Sequence, residues 1–151
     1  MENLMSCLLF FALFMLWLYY ERKEKRQKAH EEWLYCCQKR LHKIALKFRN
    51  DCMEAAEQVI AQYTNVLTRK SYRYGPNSFA REYRDSITRL EEEYKVNYAE
   101  KYSSGDNKLR CEVEDLPNYI LDEYRAEVSE IANTFRELGY CISNQISKLK
   151  E

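Results

Sequence analysis

Residues 4–28 read LMSCLLFFALFMLWLYY, followed at once by ERKEKRQK. The first part, Leu4 to Tyr20, is seventeen residues without a charge. As a helix rising about 1.5 Å per residue it reaches about 26 Å. That is near the short end of what crosses a bilayer core about 30 Å thick. Trp17, Tyr19 and Tyr20 gather at its end, where amphipathic rings favour the headgroup zone. A cleaved signal peptide needs a basic leader and small residues at its exit. Here Met1-Glu2-Asn3 leads in, and Leu18-Tyr19-Tyr20-Glu21 leads out. Residues 1–20 therefore read as a retained transmembrane anchor, the only one in a single-pass membrane protein.

Orientation follows from Lys and Arg. None precedes the run, whereas Arg22, Lys23, Lys25, Arg26 and Lys28 follow it directly. Cationic flanks resist translocation and are held by anionic cytoplasmic lipids. These five residues are predicted to contact lipid headgroups, with the short N-terminus outside and the C-terminal domain cytoplasmic. Charge is graded along the rest of the chain. Residues 21–50 carry ten Lys/Arg against four Asp/Glu, a balance of +6, and residues 51–151 carry fourteen against nineteen, a balance of −5. A basic segment beside the anchor suits membrane lipid better than nucleic acid.

The region beyond the anchor, residues 21–151, is one small domain by length. With three glycines and two prolines in the whole chain, long helices are expected rather than sheets with tight turns. Residues 21–70 contain neither Gly nor Pro, so a helix continuing from the anchor is expected to about residue 70. Its apolar residues recur at Trp33, Cys37, Leu41, Ile44, Phe48, Cys52, Ala55, Val59, Tyr63 and Val66. The steps of 4, 4 and 3 make an eleven-residue repeat, which favours a straight or slightly right-handed seam. Leu34, Ala45, Ala56 and Leu67 flank this row and widen the stripe, which implies more than one packing neighbour. Gly75-Pro76 reads as a turn. A second helix is expected over about 79–102, with Phe79, Tyr83, Ile87, Leu90, Tyr94 and Tyr98 inward. A loop over 103–107 and a connector through Cys111 and Val113 lead to Pro117. A proline is well placed in the first turn of a third helix, about 116–149. That helix carries Ile120, Tyr124, Val128, Ile131, Phe135, Leu138, Ile142, Ile146 and Leu149 along its inward side, and Gly139 in it lets another helix approach closely. Short loops make successive helices antiparallel neighbours. The fold class is all-α: a transmembrane helix continuing into an elongated, antiparallel, three-helix coiled-coil-like domain. The rival arrangement uses the first-helix stripe for a parallel homo-oligomer.

No catalytic constellation emerges. His30 and His42 lie twelve residues apart, about 18 Å along one helix, and both read as solvated surface residues. The six cysteines match no zinc spacing and include no CxxC. They read as reduced thiols, buried as small apolar residues, in keeping with the cytosol. Three glycines cannot build a phosphate-binding loop. No enzyme activity, metal or cofactor is expected. Tyr83, Tyr94, Tyr98 and Tyr102 line one side of the second helix beside Arg81, Arg84 and Arg89, a pattern that a single-strand stacking platform would share. Helical spacing and the intervening acids favour core rings with hydroxyls reaching water. The one basic and aromatic loop, with Arg69, Lys70, Tyr72, Arg73 and Tyr74, is the first candidate for a contact with an unknown protein partner.

The expected function is a scaffold or adaptor acting through protein–protein contacts at the cytoplasmic face. In length and order the chain also resembles the inner-membrane spanins of tailed phages. That resemblance implies a periplasmic helical domain that joins an outer-membrane partner during lysis. The basic residues here follow the anchor, whereas spanins keep theirs before it. A third reading is an accessory subunit of a membrane complex, although the run lacks GxxxG and has only Ser6, Cys7 and Ala12 as small residues.

Overall fold

The computed structural model describes residues 2–68, 76–102 and 107–149, with side chains over 2–62, 80–102 and 110–141 and at Asn144. The described residues are helical and contain no strand. Five helices follow in order: α1 (Glu2–Thr68), α2 (Pro76–Val96), α3 (Tyr98–Tyr102), α4 (Asn107–Glu114) and α5 (Asn118–Leu149). The chain divides into two compact units, Met1–Gln38 and Lys39–Glu151.

The first unit is the N-terminal part of α1. Its helix is long and apolar enough to cross a membrane, and no part of its most apolar window is buried by protein. Phe10 is 74% exposed and Leu4 71%. So many large apolar side chains standing free on one continuous helix is not a fold that water alone rewards.

The second unit is a helical bundle. Along α1 it buries Leu41, Ile44, Ala45, Phe48, Cys52 and Ala56. Those are the 4-3-4 rhythm and its flanking row, so both parts of the expected stripe are used. Val59 is half-buried and Ile60 exposed. On α2 the buried positions are Tyr83, Ile87, Glu91 and Tyr94, with Tyr98 following on α3. On α5 they are Ile120, Tyr124, Val128, Ala132 and Gly139. The rings of Phe48 and Tyr94 meet at 5.0 Å between centroids, and those of Tyr98 and Tyr124 also at 5.0 Å. Burying a side chain such as Phe48 or Ile87 contributes about 1.5–3 kcal/mol. Phe48→Ala would remove about 3–5 kcal/mol.

Three sequence expectations need correction. The helix expected over 79–102 starts at Pro76 and bends at Asn97. Proline suits the first turn because its missing N–H has no partner there to lose. The bend keeps helical bonding on both sides, Asn97 N to Glu93 O at 2.8 Å and Lys101 N to Asn97 O at 2.9 Å. The connector through Cys111 and Val113 is itself helical, α4. Finally, the α5 seam runs through Ala132 and Gly139, while Ile131 and Phe135 are half-buried and Leu138 is 40% exposed. Steps of four precess around a helix, so the face starting at Ile120 rotates toward Ala132. At Gly139 a Cβ would meet Tyr83 Cδ1 at 2.8 Å and Cε1 at 3.0 Å. The close approach expected of that glycine is present, and its neighbour is Tyr83.

Candidate interaction site

Three tyrosine hydroxyls of the bundle find partners inside it, while Tyr102, Tyr119 and Tyr140 are exposed. Tyr124 donates to Tyr94 O at 2.9 Å, Tyr83 donates to Phe135 O at 2.8 Å, and Tyr94 donates to the Asp51 carboxylate. Burial pushes the Tyr83 phenol up to about 12. It also raises Tyr94, where the Asp51 carboxylate adds to the effect. Each ring thus carries its polar end to a partner inside the bundle, as a buried phenol must.

A charged cluster lies between α2 and α5. Glu91, on the apolar face of α2, is 8% exposed. Its carboxylate accepts from Lys95 Nζ at 2.7 Å, Ser129 Oγ at 3.1 Å and Arg136 Nη1 at 2.5 Å. Burial alone would raise this carboxyl, but the bonds from Lys95, Arg136 and Ser129 outweigh it and hold the group below its ordinary value. Arg136 also donates to Asn133 Oδ1 at 2.6 Å and Thr88 Oγ1 at 3.4 Å. The sequence reading missed this cluster. Its signal was a charge on the inward face of each of two amphipathic helices, Glu91 four residues after Ile87 and Arg136 four after Ala132.

Beside the cluster, α2 and α5 leave an open groove of about 450 Å³, lined by Arg81, Arg84, Asp85, Thr88, Arg136 and Tyr140 among others. The Arg84 guanidinium lies 4.1 Å above the Tyr140 ring centroid. Its Nε is buried without a hydrogen-bond partner. A second groove of about 380 Å³ runs between α1 and α5, where Leu46, Ile131 and Phe135 supply apolar surface. At its edge His42 Nδ1 lies 2.7 Å from Glu127 Oε1, so His42 is paired rather than merely solvated. Arg40 and Glu112 form a further ion pair, and Lys47 Nζ donates to Lys101 O at 3.2 Å. That last bond satisfies one of the carbonyls a helix end leaves open.

The residues singled out from the sequence divide clearly. Arg22, Lys23, Lys25, Arg26 and Lys28 are all exposed on α1. Lys25 pairs with Glu21 at 2.9 Å and Lys28 with Glu24 at 2.8 Å. The hydrogen bond to Glu24 raises the Lys28 ammonium and lowers the Glu24 carboxyl. Arg22, Lys23 and Arg26 have no ion pair among the described residues. Arg69, Lys70, Tyr72, Arg73 and Tyr74 lie outside the described residues. His30 stacks on Trp33 with centroids 5.6 Å apart. Cys37 and Cys52 are buried, but Cys36, Cys111 and Cys141 are exposed, so the expectation of buried thiols holds for two of the five beyond the anchor. Burial, with the Asp51 charge second, pushes the Cys52 thiol up to about 12. Among the described residues no three His, Cys, Asp or Glu side chains gather as a metal site would require. Comparison with protein-family models, curated proteins and solved structures returns no match.

Proposed function

We propose that this protein is a single-pass membrane scaffold or adaptor whose helical bundle engages other proteins at the cytoplasmic face. The observation carrying the proposal is the uncovered apolar run on α1, followed immediately by exposed Arg22, Lys23, Lys25, Arg26 and Lys28. Lipid is the solvent that removes the cost of exposing those side chains. Arg22, Lys23 and Arg26, lacking intrahelical partners among the described residues, are the cations left for anionic headgroups.

For the bundle we favour an antiparallel order of its long helices. The pairings support this: Tyr83 meets Phe135, Glu91 meets Ser129 and Arg136, and Tyr94 meets Tyr124. Positions rise along α2 as they fall along α5. Asp51 and Lys47 on α1 meet Tyr94 and Lys101 in the same reversed sense. Coiled-coil packing along the eleven-residue seam belongs to the same proposal. The functional surfaces are clefts and helix faces, which suit binding.

Protease protection on oriented vesicles, with an epitope tag at the C-terminus, tests the topology. The tag should be cut in inside-out vesicles and shielded in right-side-out ones. Cleavage from the extracytoplasmic side would overturn the reading and favour a spanin-like arrangement.

A further inference from the structure

The groove between α2 and α5 holds three guanidinium groups, and only one of them is neutralised. Arg136 is balanced by the buried Glu91 carboxylate. Arg81 and Arg84 have no carboxylate partner among the described residues. Asp85 is the one acid lining the same groove, and Lys95 shares the Glu91 carboxylate with Arg136, so positive charge is in surplus by two. Arg84 is also pre-set for a ligand. Its guanidinium carbon sits over the Tyr140 ring, and a cation–π contact of this kind restrains the side chain before anything binds. Its Nε is closed off from solvent without an acceptor, so the two prongs left for an incoming acid are the Nη groups. Guanidinium groups recognise carboxylates through two parallel N–H···O bonds.

We propose that this groove takes a carboxylate side chain from an acidic segment of a partner protein. Arg84 provides the two-pronged contact and Arg81 the second cation, with Thr88 and Tyr140 forming the walls. A surplus of two positive charges suits an acidic segment that brings more than one carboxylate. Exposed Tyr140, with the half-buried Ala80 in the same lining, gives apolar surface for the chain that carries the acid. Arginine and tyrosine are also the residues that most often carry binding energy at protein interfaces. The inference deepens the scaffold reading and rests on it for the ligand being a protein.

The test uses the full-length protein in a neutral detergent, with fluorescein-labelled hexaglutamate as the probe. Unlabelled hexaglutamine and inorganic phosphate serve as competitors. Binding should weaken at least tenfold in Arg84→Gln, weaken measurably in Arg81→Gln, and stay unchanged in Arg22→Gln/Arg26→Gln. Hexaglutamine should not compete. Equal affinity in Arg84→Gln, a loss that follows Arg22→Gln/Arg26→Gln, or phosphate outcompeting unlabelled hexaglutamate would each overturn the proposal. If Arg84→Gln loses helicity by circular dichroism, Arg84→Lys carries the test, because it keeps the charge and loses the fork. Several-fold weakening then supports the site, and unchanged binding overturns it. A cytoplasm-facing domain that ignores the peptide sinks the groove and spares the scaffold, whereas failure of the topology sinks the scaffold whatever the groove binds.

Discussion

Replacing Arg136 by methionine should destabilise the bundle in a way that depends on pH. The Glu91 side chain is 10% exposed and that of Arg136 22%. Removing the arginine takes a charge-assisted bond of 2.5 Å from a nearly dry carboxylate. Breaking a fully buried pair from one side costs about 3–5 kcal/mol. Here Lys95 and Ser129 still hold Glu91, so about 1.5–3 kcal/mol is expected at pH 7, the range for a hydrogen bond to a charged group. The native Glu91 carboxyl lies below its ordinary 4.5. Its stabilising contribution is therefore in full force above that value and lost as pH falls through the folded-state value. Without Arg136, burial is less opposed and Glu91 titrates higher. The penalty of the substitution should accordingly shrink in acid, where the carboxyl is protonated in both proteins. Glu91→Leu/Arg136→Met, which removes both charges, should fall within about 1 kcal/mol of wild type. Urea unfolding of the full chain in detergent, followed by circular dichroism at pH 7 and in acid, measures all three. An equal cost at both pH values, or a double substitution that costs as much as Arg136→Met alone, would refute the reasoning.

Gly139→Ala sets a helix-propensity gain of about 1 kcal/mol against a Cβ placed 2.8 Å from Tyr83 Cδ1. The Tyr83 ring is 1% exposed and tied to Phe135 O, so it has nowhere to move. Overpacking at about 1–3 kcal/mol wins, and the same urea assay should report net destabilisation. Thiol labelling with a water-soluble maleimide should modify Cys36, Cys111 and Cys141 quickly. Cys52 should react only on unfolding, because its thiol is buried and raised to about 12; equal rates at Cys52 and Cys111 would contradict the packing.

Much of the bundle is legible in the sequence because apolar spacing fixes which helix face turns inward. The α1 steps through Leu41, Ile44, Phe48 and Cys52, with Ala45 and Ala56 beside them, are the residues buried. The rhythm through Tyr83, Ile87, Tyr94 and Tyr98 on α2 and α3 holds as well, although the expected Leu90 is only half-buried. Spacing fails where something other than apolarity chooses the inner position. Glu91 and Arg136 enter the interface because they satisfy one another, a pairwise property that no single helix displays. Gly139 replaces Leu138 in the α5 seam because Tyr83 needs the room. α4 is eight residues long, about two turns, too short for its period to emerge. The Tyr83 and Tyr94 hydroxyls were expected in water because a sequence does not reveal which carbonyl or carboxylate will face them. The groove at Arg84 was equally hidden, since its stacking ring lies on another helix.

The proposed function requires lipid to cover α1 from Leu4 to Tyr20. Alkaline carbonate extraction of membranes containing the full-length protein is the most direct measurement. The protein should stay in the pellet and enter solution only with detergent. Recovery in the carbonate supernatant, or a monodisperse full-length protein in buffer without detergent, would contradict it.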